Sequence, residues 1–141
     1  MNDFKLIGGL AEKDFIIDLT LSRVLFEDNK LYPWVFLVPM KSNVKNMSYL
    51  SSQDRLQLMK EMEIVEKVMI SLFKPDQTNV AAIGNKTPQL HIHIICRKID
   101  DPDWPNTVWG NHSERYDENE KKETILKIRN AIELEINKFV K

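Results

Sequence analysis

Apolar positions along the chain change period several times, and each change predicts an element. Residues 19–26, "LTLSRVLF", and Trp34–Val38, "WVFLV", are dense in β-branched, aromatic and aliphatic side chains. The polar "EDNKLYP" between them carries Asp28, Asn29 and Pro33, which favour a turn. Two antiparallel strands joined by a short loop are expected. Further on the step lengthens: Leu58, Met62, Val65, Met69 and Leu72 recur every three or four residues, and Ser51 with Asp54 offers a capping signature ahead of them. This predicts one amphipathic helix ending near Phe73, before Pro75.

"TNVAAI", Thr78 to Ile83, reads as a third strand, and Gly84 with Asn85 supplies a turn before the segment "QLHIHII". A hairpin-like pair follows from that order. The stretch "DPDWPNTVWGNHSERY" holds two prolines, a glycine and two tryptophans, so an ordered loop is expected there. From Asp117 onward Ile125, Ile128, Ile132, Ile136 and Phe139 mark one face of a terminal helix running to about residue 140. Strands, helix, strands, helix is the order of an α+β fold with an antiparallel sheet, read as a single domain over residues 1–141.

A hydrophobic share of 43% with 29% charged residues is ordinary for a globular chain, which sets disorder and membrane classes aside. The net charge of -1 argues against a broad nucleic-acid or anionic-lipid surface. Cys96 is the one cysteine and has no disulfide partner within the chain, and "MNDFKLIGGLAEKDF" lacks the order of a secretory signal. A cytoplasmic protein is expected. The apolar run Trp34–Met40 is far too short to span a bilayer.

The candidate chemistry lies in the last predicted strand. Alternation puts Gln89, His91 and His93 on one side and Leu90, Ile92 and Ile94 on the other, so the imidazoles are expected to look outward into something polar. Same-face neighbours on a strand stand about 7 Å apart, a spacing that lets two imidazoles touch one phosphate-sized anion. Neutral imidazole, with an ordinary pKa of roughly 6.5, is a competent nucleophile, and a second one can carry a proton. Backbone N–H groups at Gly84 and Asn85 can curl around phosphate oxygens, with Lys86 as a nearby cation.

Plainer readings stand beside this one. A single strand histidine is usually a satisfied polar residue, and the paired spacing with the Gly-Asn turn is what tips the balance. Two histidines can also chelate a metal, which would make the chain a cupin-like metalloprotein, but a third ligand is needed. Cys96 falls on the apolar face by parity and His112 lies in a distant loop, where it reads as solvated, so no metal is expected.

"QLHIHII" resembles the His-φ-His-φ-His-φ-φ signature of the histidine triad (HIT) superfamily of nucleotide hydrolases and transferases, with Gln89 on the first histidine. "DDPDWP" and "VWG" resemble a bacterial branch related to diadenosine tetraphosphate hydrolases, and the likeness runs from about Leu19 to Trp109. The resemblance implies about five antiparallel strands, one long central helix, a C-terminal helix and a homodimer. It implies no cofactor. By the same resemblance His91 attacks the α-phosphorus of a diadenosine polyphosphate or nucleoside phosphoramidate to form a nucleotidyl-imidazole, and His93 contacts the transferring group and assists the leaving group. Gly84, Asn85 and Gln89 would contact phosphate, Asp28 or Asn29 the ribose, and Trp104 and Trp109 would lie toward the leaving group. Glutamine hydrogen-bonds phosphate but shuttles no proton. The competing class is therefore a non-catalytic nucleotide-binding protein with a degenerate site.

Overall fold

The computed structural model describes residues 3–139. Its elements are β1 (Asp14–Asp18), β2 (Ser22–Phe26), β3 (Trp34–Pro39), α1 (Ser52–Phe73), β4 (Gln77–Ala81), β5 (Ile92–Arg97) and α2 (Glu118–Phe139). The strands form one sheet in the order β1-β2-β3-β5-β4 with every neighbouring pair antiparallel, so the α+β architecture is as expected. The Phe139 side chain and residue 140, the end of the expected apolar stripe, lie outside the described residues.

Three boundaries differ from the sequence reading. The run from Leu19 to Phe26 is not one strand: the Leu19 N–H donates to the Ser22 carbonyl at 2.8 Å, turning the chain, and β2 begins only at Ser22. Ahead of that turn lies β1, "DFIID", a strand that local pattern misses because charged residues flank a three-residue apolar run. Past Ala81 the chain leaves the sheet, and it rejoins the ladder only at Ile92.

Helix α1 starts where the capping signature put it. The Ser51 side chain accepts from the Asp54 N–H at 3.1 Å, and Lys74 closes the helix in a left-handed conformation, φ 47°. Its inward residues are Leu58, Val65, Val68 and Met69, with one carboxyl group among them. That group, Glu61, accepts from the N–H groups of Leu21 at 2.8 Å and Ser22 at 2.9 Å, so it serves the β1–β2 turn rather than standing unpaired in the core.

Both faces of the sheet are covered. On one, Val24, Val35, Leu37, Ile92, Ile94 and Cys96 meet α1 and α2 through Leu58, Val65, Met69, Ile128 and Ile132. On the other, Leu25, Trp34, Phe36, Val38 and Ile95 meet Leu10, Tyr32 and Val108, with Phe4, Leu6 and Trp109 at the margin. This second cover has no long helix. The loop after β5 is held by Asp101, which pairs with Arg97 at 2.8 Å and accepts from the N–H groups of Asp103 at 3.0 Å and Trp104 at 2.7 Å. Among the described residues no helix is long and apolar enough to cross a membrane.

Candidate active site

His93 sits mid-sheet, opposite Phe36 of β3 and Ala81 of β4, and His91 stands one step before the ladder. The expected alternation holds, with Leu90, Ile92 and Ile94 in the helix-side core. The expected outlook into a polar space holds only for His91, which borders a polar cavity; His93 has none. His91 is 7% exposed and His93 6%, and their rings lie in an aromatic cluster: 4.9 Å centroid to centroid from each other, with Phe36 4.9 Å and Trp109 4.7 Å from His93. The cover arrives from β3 and from the loop after β5, which strand alternation cannot report.

The His91 Nδ1 lies 2.6 Å from the backbone carbonyl of Gln89. A carbonyl only accepts, so Nδ1 carries a proton, and in the neutral ring Nε2 then keeps its lone pair. Next to the ring is a cavity of about 210 Å³ lined by Lys45, Asn46, Met47, Gly84, Asn85 and His91 among others, with no acidic side chain in its wall. Gly84 lets the loop pack closely: a Cβ there would stand 3.1 Å from the Thr87 carbonyl oxygen, a tight contact, and 3.8 Å from Cε1 of His91, an ordinary one.

His93 is held differently. The Trp34 indole Nε1–H donates to its Nδ1 at 3.1 Å, so the ring's own proton sits on Nε2. The backbone of Ile83 favours the protonated ring. Burial, then the neighbouring His91, pushes its pKa down from 6.5 to about 4 against the opposing pull of the Ile83 backbone, and Lys13 adds to the depression. His93 is thus a neutral imidazole near pH 7, with its Nδ1 held by Trp34.

The other expected site residues scatter. Gln89 has both ends of its amide on backbone, the Oε1 accepting from the Ile7 N–H at 3.1 Å and the Nε2 donating to the Lys5 carbonyl at 2.8 Å. Asp28 accepts from the Tyr116 N–H at 2.9 Å, and Asn29 bonds the backbones of His112 at 3.2 Å and Glu114 at 3.3 Å, so both tie down the segment before α2. Trp109 lies against His93, whereas Trp104 covers the Arg97 guanidinium at 5.6 Å. His112 is more than a solvated loop residue, because its Nδ1 lies 2.9 Å from the buried Asp103 carboxylate. Lys86 is outside the cavity wall that Lys45 and Asn46 form.

Sequence reasoning also missed Trp34, Phe36 and the Lys13–Glu27 ion pair at 2.8 Å, whose ammonium lies 5.6 Å from the Phe36 ring. The alternation of Trp34 and Phe36 was a signal, usable only with the β3–β5 register in hand. Among the described residues no three His, Cys, Asp or Glu side chains are grouped to hold a metal ion.

Residues 9–100 of the chain match the HIT domain. The chain belongs to the histidine triad family. A histidine triad protein of Bradyrhizobium japonicum is 37% identical over 92% of this chain and 98% of its own, with a TM-score of 0.88. One from Marinobacter aquaeolei is 34% identical, covers 93% and 97% of the two chains, and superposes with a TM-score of 0.88. A Plasmodium falciparum diadenosine triphosphate hydrolase, at 23% identity over 85% of this chain and 76% of its own, shares the HIT fold with a TM-score of 0.59. Among curated proteins none matches the chain.

Proposed function

We propose that this HIT protein cleaves a nucleoside phosphate derivative through a covalent nucleotidyl-His91 intermediate, with dinucleoside polyphosphates as its substrate class. The observation that carries the reading is the Gln89 carbonyl on His91 Nδ1 at 2.6 Å, which leaves Nε2 as a lone-pair nucleophile beside the cavity of Gly84, Asn85 and Lys45. In the first step Nε2 bonds to the α-phosphorus, the bridging P–O bond breaks, and the leaving phosphate takes its electron pair. The Nδ1–H bond to Gln89 stabilises the imidazolium so formed. Water then attacks phosphorus, the P–N bond breaks with its pair returning to Nε2, and the nucleoside monophosphate departs as the water's proton is released.

Leaving-group chemistry ranks the substrates. A phosphate leaves as a stable anion, while an amine leaving from a phosphoramidate needs a proton. Gln89 carries no transferable proton and its amide holds the N-terminal backbone, and His93 is neutral with its Nδ1 accepting from Trp34. Charge stabilisation by Lys45 and the Gly84–Asn85 backbone suits the anhydride. We read Asp28 and Asn29 as supports for the ribose side of the site, and the chain as a homodimer joined at the β4 edge, where Val80 and Ile83 are exposed. Monomers in sedimentation equilibrium would dismiss the dimer.

The same committed nitrogens favour a second reading, a nucleotide-binding protein without turnover. Product analysis separates the two. Diadenosine polyphosphates and an adenosine phosphoramidate are offered, with a chelator present, to wild type and His91→Ala. AMP released from the polyphosphates by wild type alone supports the enzyme, and binding with no product from any substrate supports the rival.

A further inference from the structure

We infer that Gln89, at the place of the motif's first histidine, is a positioning residue whose amide clasps the N-terminal segment and thereby fixes the backbone carbonyl that holds His91 in its Nδ1–H form. The kinetic part of this inference rests on the nucleotidyl-transfer reading; the structural part does not.

The geometry of the clasp is specific. In an extended chain the carbonyl of one residue and the N–H two residues later point to the same side, and Lys5 and Ile7 present that pair to Gln89. A primary amide meets both at once, because its oxygen and one of its N–H bonds also point the same way. The two nitrogens of an imidazole point apart, so a histidine at this position serves one partner at most. Gln89 is 8% exposed, and its hydrogen-bonding capacity faces the segment rather than the cavity beside His91.

Independent contacts show the segment pressed onto the same loop. Gly8 adopts φ +54°, and a Cβ on it would stand 3.1 Å from Oγ1 of Thr87. Beyond Gly8 the segment delivers Leu10 to the cluster on the histidine face and Lys13 to Glu27 and Phe36. Residue 89 is therefore fixed through its side chain on one side, while its carbonyl fixes His91 on the other. What the family's first histidine position loses in proton chemistry it gains here in rigidity under the nucleophile.

The test compares wild type with Gln89→Leu, Gln89→His and Ile7→Pro, the last removing the partner N–H without touching residue 89. Three quantities are read: amide exchange over residues 5–13, the His91 tautomer from long-range proton–nitrogen spectra of the imidazoles, and turnover of a diadenosine polyphosphate. The expected result is one Nδ1–H tautomer of His91 in wild type and a mixture in all three variants. Exchange across the segment should rise about tenfold, in keeping with loss of one or two hydrogen bonds. Turnover should fall about tenfold in kcat with KM nearly unchanged, as for a lost alignment rather than a lost contact. Gln89→His with faster turnover and a wild-type exchange pattern overturns the clasp, as does Gln89→Leu with an unaltered His91 tautomer. Wild type inactive on every substrate sinks the nucleotidyl reading alone, and the exchange and tautomer data then decide the clasp by themselves.

Discussion

On the helix side of the sheet, Val35, Leu37, Ile92 and Ile94 meet aliphatic side chains from two long helices; on the histidine side, Trp34, Phe36, His93 and Ile95 meet single residues from the N-terminal segment and from the loop after β5. The two faces belong to the same strands, yet one is a periodic core and the other an aromatic assembly fastened by individual polar bonds. Each face should therefore fail in its own way when a side chain is removed: the first in stability, the second in chemistry.

The largest contrast is expected at the nucleophile. His91→Ala should lower release of AMP from a diadenosine polyphosphate by about a thousandfold or more while leaving a cooperative urea transition. Residual turnover within a few-fold of wild type would remove His91 from the mechanism. On the other face, Met69→Ala should cost about 2–5 kcal/mol in urea unfolding, because Met69 is fully buried and two helices and a sheet cannot collapse around the void. Turnover per folded molecule should stay unchanged there. A loss of turnover without a loss of stability would show that the two faces are not separable.

That contrast also governs how much was legible beforehand. Leu58, Val65 and Met69 repeat at the period of the helix they form, and the parity of Cys96 placed it correctly on the helix-side core. The histidine side was legible as chemistry and not as environment. His91 and His93 stood out by spacing, but their cover comes from Trp109 and Phe36, which share no local period with them. Gln89 drew attention as a departure from the motif, while its partners at Lys5 and Ile7 are more than eighty positions earlier, where no pattern links them. Strand β1 was missed for the related reason that its identity rests on pairing with β2.

The buried imidazole gives the histidine face a pH signature that the aliphatic face cannot have. With its pKa lowered from 6.5 to about 4 in the folded protein, His93 binds its proton more weakly folded than unfolded. The unfolded state then holds more protons between those values, so stability is fully present above pH 6.5 and is lost as the pH falls toward 4. At 1.36 kcal/mol per pKa unit the loss is about 3 kcal/mol. Urea titrations across this window should show it in wild type and not in His93→Gln. An equal loss in both would place the titrating group elsewhere.

The smallest effect expected, and the most discriminating, comes from Trp34→Phe. The phenyl ring keeps much of the packing against Phe36 and Trp109 but removes the N–H that donates to His93 Nδ1. A donor to that nitrogen favours the neutral ring, so its loss should raise the His93 pKa, although burial, the largest cause of the depression, remains. Stability at pH 8 should drop by about 1 kcal/mol, the worth of one buried hydrogen bond. The acid loss between pH 6.5 and 4 should shrink with it, since a higher folded pKa narrows the gap to the unfolded value. If Trp34 serves only to fill space, the two pH profiles will be parallel. If it also sets the protonation of His93, they will converge as the pH falls.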